Sequence, residues 1–210
     1  MQKIVRHSIA DRLVHWLLAL ATLVLLGTGF LPVIGVKFEW VTIHWSAGLL
    51  VLAGLLWHLW RRLNRAALAR MWVGLQDLQL AWQGLTGGDA RTGKYSLAQK
   101  LMHHGVAFLT LITLVTGLLM MVRIDTPFWE RNIYLFSDET WGLIYVCHGL
   151  AAMATLTTVM LHIYFAVRPE KLLYLRSMIG GHLSAEEYAA HHDPALWAQN
   201  ETSEREQQRG

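Results

Sequence analysis

Charge is scarce in this chain: 16% of its 210 residues are Asp, Glu, Lys or Arg, against 54% hydrophobic ones. Soluble domains carry about one quarter charged residues and disordered chains carry few apolar ones, so both classes are excluded and lipid becomes the expected solvent. Cysteine is almost missing. Cys147 stands alone, which excludes an intrachain disulfide framework, and the absence of a C-x-x-C-H run excludes covalent haem attachment of the c type. Acidic residues are few until the end: residues 1–183 hold 16 Lys/Arg against 9 Asp/Glu, and the last 27 hold 2 against 6. A basic excess spread in this way follows loops, so no nucleic-acid partner is expected.

Long uncharged runs are what the sequence does have. They cover 13–36, 40–60, 101–122 and 141–167, each long enough to cross a hydrocarbon core of about 30 Å. The expected fold is therefore an all-α membrane protein, a four-transmembrane-helix bundle. The first run is longer than the apolar region of a signal peptide and shows no A-x-A-like cleavage site, so a retained anchor is expected. Lys and Arg set the orientation. The amino-terminal arm, the 61–100 connection and residues 168–176 carry 13 of them, and the other two connections carry 3, which predicts that both termini are cytoplasmic. Trp40, Trp129 and Trp141 fall near the outer boundary and Trp16, Trp57 and Trp60 near the inner one, as amphipathic rings prefer.

Between spans two and three, the apolar positions of Ala66 to Leu85 recur at helical spacing until Gly87 and Gly88, which predicts an amphipathic helix on the inner surface. Residues 1–183 form the four-helix domain in this reading, and 184–210 a cytoplasmic tail. The tail opens with a short helix capped by Ser184 and Glu187, and a frayed end is expected from Asn200.

Eleven histidines matter by position. His44 and His148 lie a turn or two below the outer face, and His15, His58, His103, His104 and His162 lie near the inner one. His148 and His162 are 14 residues apart, which on a helix is about 40° short of four full turns and a rise of about 21 Å. One helix face thus presents two imidazoles at two depths, and His44 with His58 repeat the interval. Such a helix can ligate two stacked haems, with neighbouring helices supplying the opposite ligands. The inner partner of His162 is His15 or His58 on this reasoning. Gly27, Gly29, Gly48, Gly117 and Gly149 offer room for a macrocycle or for close helix packing. His15 to Gly29 and His103 to Gly117 share a 14-residue interval, each with Thr just before Gly, as expected of an internal duplication. Thr28, Thr116, Tyr145 and Thr155 are candidate hydrogen-bonding partners around such a site. His103 and His104, beside Lys100, are expected to be exposed or near a quinone. Surface roles are the default for His7, His182, His191 and His192.

These residues resemble the gamma subunit of membrane-bound formate dehydrogenase, a dihaem cytochrome b related to the cytochrome b subunits of nickel-iron hydrogenases. The likeness runs end to end: Asp11-Arg12-Leu13-Val14-His15-Trp16, Ile43-His44, Gly93-Lys94-Tyr95-Ser96-Leu97-Ala98-Gln99-Lys100, His148, His162, and His191-His192-Asp193-Pro194. The resemblance implies that His44 and His148 hold an outer b-type haem and that His15 and His162 hold an inner one, leaving His58 off iron. It also implies a quinone pocket lined by Ser96, Ala98, Gln99 and His162, although the family has Asn and Gly where Ser96 and Ala98 stand.

The expected role is a membrane-anchoring dihaem subunit in a bacterial cytoplasmic (inner) membrane. It would take electrons from an iron-sulfur beta subunit, itself fed by a molybdenum or tungsten alpha subunit that oxidises formate, and deliver them to menaquinone or ubiquinone near the cytoplasmic face. The alternatives are the cytochrome b of a nickel-iron hydrogenase or a related quinone-linked oxidoreductase, and a non-redox transporter or assembly factor, which would lack b-type absorbance.

Overall fold

The computed structural model describes residues 3–62, 71–88 and 90–197. Four helices are long and apolar enough to cross a membrane: α1 (Ile9–Phe30), α2 (Val41–Arg62), α4 (Leu97–Met121) and α5 (Asp138–Val167). Four such helices are what the uncharged runs predict. A shorter helix, α3 (Leu75–Leu85), precedes α4, and two more, α6 (Leu172–Gly180) and α7 (Ala185–His191), follow α5.

Short polar residues start these helices. The Ser8 hydroxyl accepts from the Asp11 amide at 3.1 Å, and the Ser96, Ser137 and Ser184 hydroxyls do the same for Gln99, Thr140 and Glu187. Each serine satisfies an amide that the first helical turn leaves without a carbonyl. α1 stops at Phe30, short of the Val36 expected from the uncharged run. Pro32 has no amide hydrogen to continue the ladder, and the chain turns through Gly35 at φ 94°, a conformation that favours glycine. The amphipathic stretch breaks at 72–74, between the helical Met71 and a second helical segment. That segment, α3, begins at Leu75 behind Gly74, whose amide donates to Asp77 at 2.9 Å; residues 66–70 of the expected helix, Leu68 among them, lie outside the described residues.

The chain forms two compact units. One comprises Val14–Leu56 and Gly105–His162, the middle stretches of the long helices. Here α1 and α2 pack closely, with Leu25 against Gly48 and Leu18 against Gly54. Near the start of α5, Trp141 is fully buried, its indole donating to the Ile133 carbonyl at 3.1 Å under the Arg123 guanidinium. Most other large apolar side chains on the four helices are exposed in the isolated chain, as lipid-facing surfaces must be.

The other unit comprises Met1–Leu13, Trp57–His104 and Ile163–Gly210. It contains two short strands that the all-α reading does not anticipate, β1 (Lys3–Val5) and β2 (His182–Ser184), paired antiparallel with Ile4 opposite Leu183. Residues 184–197 belong to this unit together with the amino-terminal arm, and the Ser184–Glu187 capping box forms as read from sequence. Leu173, Leu183 and Trp197 make its core, with Ile4, Tyr174 and Tyr188 packed around them. Each large apolar side chain so buried contributes about 1.5–3 kcal/mol, enough to hold short strands that would not survive alone.

Candidate functional site

His44 on α2 and His148 on α5 face each other with ring centroids 6.3 Å apart and planes at 68°. A direct hydrogen bond between two imidazoles has a nitrogen separation of about 3 Å and brings the centroids to about 5 Å, so these rings are too far apart to bond each other. Two imidazoles on opposite sides of one iron, each at about 2 Å from the metal, have centroids about 6 Å apart. The observed spacing matches the second arrangement.

Both rings are held from behind in the same way. Thr28 Oγ1 lies 2.8 Å from His44 Nδ1, and Thr116 Oγ1 lies 2.8 Å from His148 Nδ1. Each hydroxyl hydrogen is already committed, to the Val24 carbonyl at 2.7 Å and the Ile112 carbonyl at 2.6 Å. The threonine oxygens must therefore accept, and each Nδ1 carries the proton. That tautomer leaves the Nε2 lone pair for a metal. The glycine after each threonine lets the ring approach: a Cβ on Gly29 would sit 3.6 Å from His44 Cε1, and one on Gly117 3.3 Å from His148 Cε1. Of the other candidate partners, Thr155 bonds only its own helix, to the Ala151 carbonyl, and Tyr145 lies under Arg123.

A second pair sits along the same bundle. His15 on α1 and His162 on α5 have centroids 6.3 Å apart and planes at 50°. The Trp16 ring meets His15 edge-on at 5.2 Å. No threonine stands behind it: the buried His15 Nδ1 has no hydrogen-bond partner among the described residues.

Among the described residues no group of three or more His, Cys, Asp or Glu could hold a bare metal ion. Each pair offers two imidazole donors, which would suit a metal that brings its other ligands with it. Residues 6–181 match the prokaryotic cytochrome b561 family. The chain belongs to that family. Its members are membrane cytochromes b that bind b-type haem, and the two imidazole pairs of this cytochrome fit that group in donor chemistry and in spacing. No individual curated protein matches the chain.

The residues expected around a quinone have a structural task in this cytochrome. Ser96 and Gln99 cap α4 reciprocally: the Ser96 amide donates to Gln99 Oε1 at 3.0 Å while Ser96 Oγ accepts from the Gln99 amide at 3.4 Å. The S-x-x-Q signature was legible in the sequence, which pointed to the quinone and not to the cap. The Gln99 Nε2 and the Ser96 hydroxyl hydrogen are not consumed by these two bonds. Ala98 is exposed on the first turn. Lys100, considered as a proton carrier, forms an ion pair with Asp77 at 2.8 Å that ties α3 to α4. His103 and His104 are exposed, as expected, and His104 Nε2 reaches the Met71 carbonyl at 2.8 Å. His58 pairs with His103, at a centroid distance of 6.2 Å.

His192 corrects a surface reading. It is 1% exposed, accepting from Arg6 Nη1 at 3.1 Å and donating from Nδ1 to the Gly93 carbonyl at 2.8 Å. Arg6, 3% exposed, also donates to the Lys94 carbonyl and lies over the Tyr174 ring. Burial lowers the pKa of both groups, and the neighbouring Arg6 charge lowers that of His192 further. The Gly93-Lys94 run and the His191-His192-Asp193-Pro194 tail thus meet on Arg6 in one clamp.

Proposed function

We propose that this membrane cytochrome b is the dihaem gamma subunit of a formate dehydrogenase, carrying electrons from an iron-sulfur partner on the outer face to quinone near the cytoplasmic face. What supports the haem ligation is the pair of 6.3 Å imidazole spacings, since it matches axial ligation and excludes hydrogen bonding. His44 with His148 would hold one b-type haem and His15 with His162 the other. Bound haem supplies one-electron redox chemistry, and the chain sets its tuning through ligand basicity, burial and the Thr28 and Thr116 bonds.

At the quinone, Gln99 Nε2 and the Ser96 hydroxyl would donate to a carbonyl oxygen, while protons enter through His103 or His104 from the cytoplasm. Two electrons and two protons make one quinol. Carrying negative charge inward against an outside-positive potential costs about 2.3 kcal/mol per charge per 100 mV. A strongly reducing donor such as formate covers that cost and so energises the membrane.

The family match equally favours the cytochrome b of a nickel-iron hydrogenase. Copurification separates the two: a molybdenum or tungsten protein is expected, and a nickel-iron protein would replace the formate assignment. A reduced-minus-oxidised spectrum tests the haem assignment itself, because colourless protein made with ample haem would overturn it. Gln99→Glu tests the quinone contact, since glutamate keeps the acceptor that caps α4 and removes the amide donor. Quinone reduction should fall at least tenfold with the haem spectra unchanged, and unaltered turnover would remove Gln99 from the mechanism.

A further inference from the structure

We propose that α3 is embedded in the bilayer surface, with Leu75, Leu78, Trp82 and Leu85 immersed in the acyl chains of the leaflet where α4 begins. The proposal goes beyond the electron-transfer reading and does not rest on haem.

Three faces can be told apart on this helix. At about 100° per residue, Asp77, Leu80 and Ala81 share an arc of about 100°, Gln76, Gln79 and Gln83 one of about 60°, and Leu75, Leu78, Trp82 and Leu85 one of about 80°. The first face is half-buried against the chain. The other two are exposed, and the apolar one is exposed by 51% at Leu78 and by 68–82% at its other three positions. A continuous stripe of that kind marks a contact surface.

The anchorage of α3 shows what the stripe meets. Lys100 Nζ binds Asp77, on the half-buried face, at 2.8 Å and the Trp72 carbonyl at 3.1 Å, while His104 Nε2 donates to the Met71 carbonyl at 2.8 Å. Lys100 is the last charged residue before the uncharged run 101–122, so it stands where α4 passes from polar surroundings into lipid. A helix tied at that level lies at the boundary itself. Leu101, the next residue of α4, is exposed there too, and Trp82 is the ring type favoured at that depth.

Composition names the lipid chemistry. α3 carries no Lys or Arg, and its one charge, Asp77, is spent on Lys100. Interfacial helices draw on apolar area and on basic residues that face anionic headgroups. Only the first is present on α3, so its partner is the uncharged acyl part of the interface, whatever the headgroup.

The test uses the full-length protein in nanodiscs of phosphatidylcholine, alone or mixed with phosphatidylglycerol. In a Cys147→Ala background, single spin labels are placed through Leu78→Cys, Trp82→Cys and Leu85→Cys, and through Gln76→Cys, Gln79→Cys and Gln83→Cys. Every labelled position is exposed, so no label displaces a packed side chain. Oxygen partitions into lipid and a nickel chelate stays in water. The ratio of oxygen to nickel collisions should be several-fold higher at the three apolar positions than at the three glutamines, equally in both lipid mixtures. Equal ratios on the two faces would overturn the proposal. Shielding of the apolar positions from both probes would overturn it as well, in favour of a covering protein or a second copy of this chain. Lipid contact found only with the anionic mixture would overturn the apolar stripe as its cause.

Discussion

The His44/His148 and His15/His162 pairs share one spacing and differ in what stands behind them. At the first, each Nδ1 is pinned by a threonine whose own hydrogen is spent on its helix, and each ring rests on a glycine. At the second, the His15 Nδ1 is buried without a partner among the described residues. One site is organised before any ligand arrives, with tautomer and ring plane set, and the other is held chiefly by packing. Hydrogen bonding behind a ligating imidazole increases its basicity, and its loss typically costs about 10–100-fold in metal affinity. On the proposed haem ligation, the two sites should therefore differ in potential and in robustness although both would use bis-imidazole chemistry.

The largest expected break in that contrast comes from Thr28→Val with Thr116→Val, which keeps shape and removes both acceptors. Weaker imidazole donors stabilise ferric iron less, so the midpoint potential of the His44/His148 haem should rise, by about 59 mV for each tenfold loss of ferric over ferrous affinity. The His15/His162 potential should stay put. A redox titration in which both potentials move together would refute the claim that the threonines act on one site.

A smaller effect is expected from the glycines, and it should be unequal. Gly117→Ala places a Cβ 3.3 Å from His148 Cε1, whereas Gly29→Ala places one 3.6 Å from His44 Cε1, ordinary contact distance. Haem retention in detergent should drop more for Gly117→Ala. Equal retention in the two variants would mean that α4 yields as easily as α1.

The smallest effect concerns the clamp outside the spans, and pH isolates it from both sites. His192 is held neutral, its pKa below the ordinary 6.5 through burial first and the Arg6 charge second. Its contribution to stability is complete above about pH 6.5, the unfolded value. As pH falls from there toward the lowered folded value, the unfolded state takes up a proton that the folded state refuses, so stability declines. Hydrogen exchange at the Arg6 and Asp193 amides should accelerate over that range, with His192→Gln flattening the trend. Exchange around His44 and His148 should not follow it. Acceleration of both regions together would show that the clamp and the spans unfold as one.

Much of this was legible in the sequence because bilayer physics is local. About twenty uncharged residues in a row have few alternatives to a spanning helix, and Ser184 with Glu187 three residues on writes a helix start in side-chain chemistry. Spacing of 14 residues put histidines on one helix face at two depths. Contact order hid the rest. The Thr28 and Thr116 bonds join residues on neighbouring helices, and periodicity within one helix says nothing about which carbonyl or ring a hydroxyl meets across the gap. The strand pairing of 3–5 with 182–184 and the burial of His192 on Arg6 join positions nearly the whole chain apart, where no local pattern reaches.

The sequence by itself determined four membrane-spanning helices, a cytochrome-like set of intramembrane histidines, and the 14-residue intervals that recur among them. Helix geometry left the inner partner of His162 open between His15 and His58, and the tertiary structure brings His15 to it, as the family likeness implied. A helix dictates the face and depth of an imidazole through its own backbone geometry, but an axial pair needs two rings from different helices at one height and one separation, and that coincidence exists only after the helices have packed.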